Sequence, residues 1–119
     1  MEEKVRYYII RSNEKILSEE RQRYIEELIK SIKEDLEKEN YEEFLERVLE
    51  IRRIQSYREG KWETTKYKLL LTYGSPTVWL DTDGYLEIKE FDSEIVIHID
   101  DDVVVDLWGL EDYLNEISS

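Results

Sequence analysis

From Lys66 to Asp100 the apolar positions recur at every second residue. Tyr67, Leu69, Leu71 and Tyr73 alternate with Lys66, Lys68, Leu70 and Thr72, and Val78 and Leu80 with Thr77, Trp79 and Asp81. Leu86 and Ile88 alternate with Tyr85, Glu87 and Lys89, and Ile95, Ile97 and Ile99 with Glu94, Val96, His98 and Asp100. A period of two belongs to strands that rest one face on a core. Gly74-Ser-Pro76 and Asp83-Gly84 supply turn chemistry between the runs, and residues 90–93 make the last break. The pattern predicts a four-stranded antiparallel meander. Val5 to Ile10 is β-branched and aromatic with charges at both ends, so residues 4–11 offer a fifth strand at a sheet edge.

Elsewhere the period lengthens. Ser18 followed by Glu19 and Glu20 is a helix start, with a hydroxyl cap and then acids at the positive end of the dipole. Ile25, Leu28, Ile29, Ile32 and Leu36 lie three and four apart, on one helical face. Asn40 suits a left-handed helix end. Phe44, Leu45, Val48, Leu49, Ile51 and Ile54 then predict a second helix over Tyr41–Tyr57, closed by Glu59-Gly60; one long helix through Asn40 is the alternative. After Asp100-Asp-Asp102, Val103, Leu107, Leu110, Leu114 and Ile117 form an amphipathic stripe, interrupted by Gly109, which marks either close packing or a break. The fold expected is therefore α+β: two N-terminal helices, the meander, and a C-terminal helix packed on the sheet.

The chain has 119 residues, enough for one domain. Hydrophobic residues make up 40% and charged residues 39%, so the apolar periodicity belongs to a folded domain with a heavily charged surface. No apolar run is long enough to cross a membrane, and the N-terminus lacks a signal-peptide core. The absence of cysteine excludes disulfides and thiol chemistry and suggests a cytoplasmic location. Glu, Lys, Arg and Ile dominate, as in proteins of high-temperature organisms.

Net charge is −13, and its distribution changes the picture. Residues 81–119 hold thirteen acids against Lys89 alone, while residues 1–80 hold seventeen acids and sixteen bases. Such a field repels nucleic-acid phosphates and attracts basic surfaces. One locally basic segment, residues 47–61, sets Arg47, Arg52, Arg53, Arg58 and Lys61 against Glu50 and Glu59. With Tyr57 and Trp62 it has the residue types for phosphate contact and base stacking. Direct nucleic-acid binding is disfavoured by the total charge; an internal salt-bridge network, or an acidic patch on a second subunit, accounts for the segment better.

Four further patterns touch on chemistry. Asp81-Thr-Asp-Gly84 matches part of a calcium loop, but Trp79 would fall at its first ligand position and the flanks are strand-like, so a hairpin turn is expected. Asp100, Asp101, Asp102 and Asp106 have the side chains for a magnesium-dependent nuclease, yet as consecutive acids at a helix start they are explained by capping. His98, the only histidine, has no partner nucleophile in the pattern. Trp62, Tyr73, Trp79, Tyr85 and Trp108 are core candidates, or anchors if the outer sheet face is open.

The Leu71-Thr-Tyr-Gly-Ser-Pro-Thr-Val-Trp-Leu-Asp-Thr-Asp-Gly84 stretch with the acidic end that follows resembles the small, acidic, cysteine-free proteins of viruses that infect thermophilic archaea. The resemblance lies in composition and layout, with no diagnostic motif. It implies a class of role, the binder that blocks a host defence complex. The function expected is a non-enzymatic, cofactor-free binding protein that meets a basic surface of a host protein, in the sharpest version by mimicking nucleic acid. Asp81, Asp83, Glu87, Asp100, Asp101, Asp102, Asp106, Glu111 and Asp112 would carry it, with Trp79 and Tyr85 as anchors. The alternatives are a homo-oligomeric assembly protein, with a homodimer reasonable under any reading, and a metal-dependent nuclease.

Overall fold

A computed structural model describes residues 5–100 and 102–118, with Asp102 described by its backbone alone. Strand β1 (Tyr7–Ser12) precedes helices α1 (Glu19–Glu37) and α2 (Tyr41–Glu46). Strands β2 (Glu50–Arg58), β3 (Lys61–Thr72), β4 (Thr77–Asp81), β5 (Tyr85–Glu90) and β6 (Ser93–Ile99) follow, and helix α3 (Asp102–Ser118) closes the chain. The strands form one antiparallel sheet in the order β1-β6-β5-β4-β3-β2. The α+β class and the meander stand as expected, with β1 as the edge strand beside β6.

The alternating residues Tyr67, Leu69, Val78, Leu80, Leu86, Ile88, Ile95, Ile97 and Ile99 form one buried sheet face. Against it lie Ile25, Ile29, Ile32 and Leu36 of α1 and Val103, Leu107, Leu110 and Leu114 of α3, and the two helices touch each other. Ser18 caps α1 as predicted, its side chain accepting from the Arg21 N–H at 3.1 Å. Burying each such Leu or Ile contributes about 1.5–3 kcal/mol, which makes this face the main source of stability.

Two helices do not span six strands. The sheet is about 24 Å wide and a helix pair covers roughly 20 Å. The edges show the shortfall: Ile9 on β1 stays 50% exposed and Ile51 on β2 43%, although their register partners Ile97 and Leu69 are fully buried.

The predicted second helix is the main correction. Only Tyr41–Glu46 is helical, and residues 50–58 are a strand. Val48, Ile51 and Ile54 lie three apart as on a helix, but the run is short and its β-branched residues favour the strand. Glu59 and Gly60, expected to end a helix, are instead the two central residues of a hairpin. Both have positive φ (51° and 80°), as a type I′ turn requires. The sheet therefore has six strands, not four or five.

Asn40 also changes role. It caps the start of α2, accepting from the Glu43 N–H at 3.2 Å, and Glu39 takes the left-handed conformation instead (φ 53°). Ile117 and Tyr73, both expected on the apolar face, are exposed; Tyr73 lies past a register shift that ends β3. Gly109 does not break α3. A Cβ there would overlap the Tyr41 hydroxyl, so glycine permits the close approach of α2.

Gly109→Ala is expected to lower stability by about 1 kcal/mol, because overpacking against Tyr41 outweighs the helix-propensity gain. In a Tyr41→Phe background the same substitution should raise stability, as read by urea unfolding. At the hairpin tip, Glu59→Asn relieves left-handed strain and should slow amide exchange across the β2–β3 turn, by about 0.5–1 kcal/mol of local stability.

Candidate functional site

The sheet face turned away from the helices, with the β4–β5 turn, carries five of the eleven residues expected to bind a partner: Asp81, Asp83, Glu87, Trp79 and Tyr85. Asp81 and Glu87 alternate with the core residues Leu80, Leu86 and Ile88, so their side chains point outward. They are not free. Lys66 Nζ lies 2.8 Å from Asp81 Oδ2 and 3.4 Å from Asp83 Oδ2, and Lys68 Nζ lies 3.4 Å from Glu87 Oε2. Asp81 is only 4% exposed.

Desolvation acts on this pair unequally. Burial pushes the Asp81 carboxyl above its ordinary value, and the hydrogen bond and charge of Lys66, with Lys68, only partly reverse this. Burial pulls the Lys66 ammonium down, but Asp81 and then Asp83 outweigh it and hold the amine above the usual lysine value. The two shifts differ in sense because Asp81 is the deeper partner and bears more of the desolvation. Oδ1 of Asp81 and Oδ1 of Asp83 are buried without a hydrogen-bond partner. Where a calcium loop would place its cation, between the two carboxylates, the Lys66 ammonium already sits.

The expected anchors are covered as well. Arg52 stacks over the Trp79 ring at 4.7 Å and Lys68 approaches the same ring at 5.6 Å. Tyr85 meets the edge of His98 at 4.7 Å and lies 5.8 Å from Lys66. His98 Nε2 is 3.0 Å from the Asp83 carbonyl oxygen, and Gly84 (φ 98°) is pressed between His98 and Val104 of α3. Histidine and glycine together pin the β4–β5 turn.

The remaining expected residues lie elsewhere, so they do not form one surface with Asp81, Asp83 and Glu87. Asp100 accepts from the Tyr8 hydroxyl at 3.3 Å at the end of β6. Asp101, with the helix cap expected of it and the magnesium alternative, lies outside the described residues, as does the side chain of Asp102. Glu111 accepts from Thr82 Oγ1 at 3.3 Å, and Thr82 Oγ1 itself accepts from the Tyr67 N–H at 3.1 Å. Tyr67 Oη donates to Asn115 Oδ1 at 2.7 Å. These bonds clamp α3 to β3 and β4. Among the described residues no group of three His, Asp or Glu side chains could hold a metal ion, and no helix is long and apolar enough to cross a membrane.

Helix α3 presents a separate surface. Asp102, Asp106, Glu111, Asp112 and Glu116 are its charged residues, with no base among them. Trp108, Asp112 and Glu116 are exposed at a spacing of four and share one stripe, with exposed Val105 beside it. Burial first, then the charges of Glu39, Asp106 and Asp112, raises the pKa of the neighbouring Tyr41 phenol. Glu116 sits in the last turn, where a negative charge opposes the helix dipole.

Two features escaped the sequence pattern. The first is an open depression of about 410 Å³ at the β5–β6 turn, lined by Asn13, Glu14, Arg21, Glu90 and neighbours. Its polar groups are largely spent on one another, as in Arg21–Glu90 at 3.0 Å and the Ser93 hydroxyl donating to Glu14 at 2.6 Å. The second is the β2–β3 hairpin. Strand β4 pairs with β3 from Lys68 to Thr72, so the hairpin runs on past the sheet as a two-stranded arm. The signal was present in Glu59-Gly60 between two β-branched, aromatic runs. Comparison with protein-family models, curated proteins and solved structures finds no match to this chain.

Lys66→Met should cost about 2–3 kcal/mol at neutral pH, below the figure for a fully buried pair because Lys66 keeps some solvent contact. The Asp81 carboxyl, already raised, would rise further. A group whose folded pKa is raised loses stabilising effect as pH rises through that pKa, so the deficit should shrink as pH falls into the carboxylate range. Urea titrations at several pH values would check this.

Proposed function

We propose that this chain is a non-enzymatic binding protein whose α3 face engages a basic surface on a partner protein. The observation that carries this reading is the composition of α3: five acids, no base, and exposed Val105 and Trp108 among them. Acids steer a basic partner into contact, and desolvated apolar side chains hold it there. A basic surface that ordinarily takes nucleic acid fits this chemistry, and the chain would then compete with nucleic acid for it. The sheet-face carboxylates Asp81, Asp83 and Glu87 are left out of this surface because lysines already hold them.

The test separates binding from stability. Asp112→Lys/Glu116→Lys relieves repulsion within α3 and gives its last turn a favourable charge, and its melting temperature is measured beside binding so that loss of fold is told apart from loss of contact. Association with a lysine-rich peptide, followed by fluorescence of Trp108, should weaken by about tenfold and lose most of its salt dependence. Undiminished peptide binding by this variant would refute the reading.

A further inference from the structure

The β2–β3 arm is built like an interface element that its own chain does not use. No residue from Ile54 to Lys66 is fully buried, so the arm adds little to the core. At its tip Tyr57 and Trp62 face each other across the strands, ring centroids 5.4 Å apart, yet remain 63% and 67% exposed. The internal salt-bridge network expected of the basic segment is present only in part. Arg52 pairs with Glu50 at 2.8 Å and Arg47 with Asp35 at 3.3 Å, whereas Arg53, Arg58 and Lys61 pair with no described residue. The hairpin Glu50–Thr72 as a whole holds six bases against three acids. Trp, Tyr and Arg are the residue types that dominate the energetics of protein interfaces.

We infer that this arm docks on the helical layer of a second copy of the chain, along the Trp108–Asp112–Glu116 stripe of α3. The inference rests on the reading of α3 as a partner-binding face and names the partner. Charge complementarity supports it: residues 19–47 and 102–118 together hold sixteen acids against six bases. Chemistry matches as well as charge. The arm offers two aromatic rings flanked by Arg53, Arg58 and Lys61, and the stripe offers Val105 and Trp108 flanked by acids. Nucleic acid is a poorer occupant, since Glu59 and Glu63 interrupt the basic tip and the chain as a whole carries −13. Arm and stripe are different surfaces, so reciprocal exchange closes a two-fold dimer and one-way addition builds a ring or an open chain.

Sedimentation of the full chain at low and high salt tests this. The mass should grow with concentration at low salt and fall toward the monomer at high salt. The arm variant Arg53→Glu/Arg58→Glu/Lys61→Glu and the helix variant Asp112→Lys/Glu116→Lys should each weaken self-association by at least about tenfold. Mixed together they should associate again, because each supplies the charge the other now needs; a misfolded variant could not do this. Wild-type chain that stays monomeric throughout, a dimer that ignores the arm variant, or a mixture that fails to associate would overturn the inference. So would retention of the arm by a single-stranded oligonucleotide with no self-association. The lysine-rich peptide assay keeps the two readings apart: peptide binding without self-association sinks only this one.

Discussion

An antiparallel sheet with a single apolar face must be covered on that face, and most of this structure follows from how that is done. Leu80, Leu86, Ile88, Ile95 and Ile97 form a fully or nearly fully buried centre, and α1 and α3 lie across it. Removing that surface from water is the dominant favourable term in folding. Because two helices are narrower than six strands, the cover runs out at both edges, and the β2–β3 hairpin goes on beyond it. The arm is exposed because β2 and β3 are longer than β4, so their far ends pair only with each other.

The opposite sheet face is settled by polar chemistry. Its charged residues were expected to await a partner, but Lys66 and Lys68 pair with one oxygen each of Asp81, Asp83 and Glu87, and Arg52 and Lys68 cover Trp79. Cross-strand register makes this so: Lys68 lies directly opposite Asp81, and Lys66 one pleat along on the same face. At the same corner Thr82 ties β3 to Glu111 of α3. One junction thus anchors the base of the arm, the β4–β5 turn and the last helix, so the arm springs from a fixed base.

Charge of opposite sign is concentrated on two separate elements. Helix α3 carries five acids and no base of its own, and on the arm Arg53, Arg58 and Lys61 pair with no described residue. Salt limits the reach of such fields to about a Debye length, so local composition counts for more than the total of −13. A net charge that disfavours nucleic acid for the molecule as a whole is therefore compatible with a basic arm that recruits an acidic surface. Charge separated in this way suits association between copies or with another protein, and both functional inferences draw on it.

The meander, α1, α3 and their buried residues were legible because each run was long enough for its period to be unambiguous: five apolar positions at helical spacing in α1, and strict alternation across β3 to β6. Residues 47–58 were not legible on their own, since the spacing of Val48, Ile51 and Ile54 suits a helix while their β-branched side chains suit a strand. The choice fell to β3, whose free backbone edge pairs with the segment and whose Trp62 meets Tyr57. The candidate site was legible as a set of acids but not as a surface. Sequence determines that residues 81–119 are acidic, that α3 is amphipathic and that the sheet has one apolar face, because composition and periodicity are local. Only the tertiary structure decided which acids meet lysines and which meet water, because register and packing bring together side chains that lie far apart along the chain.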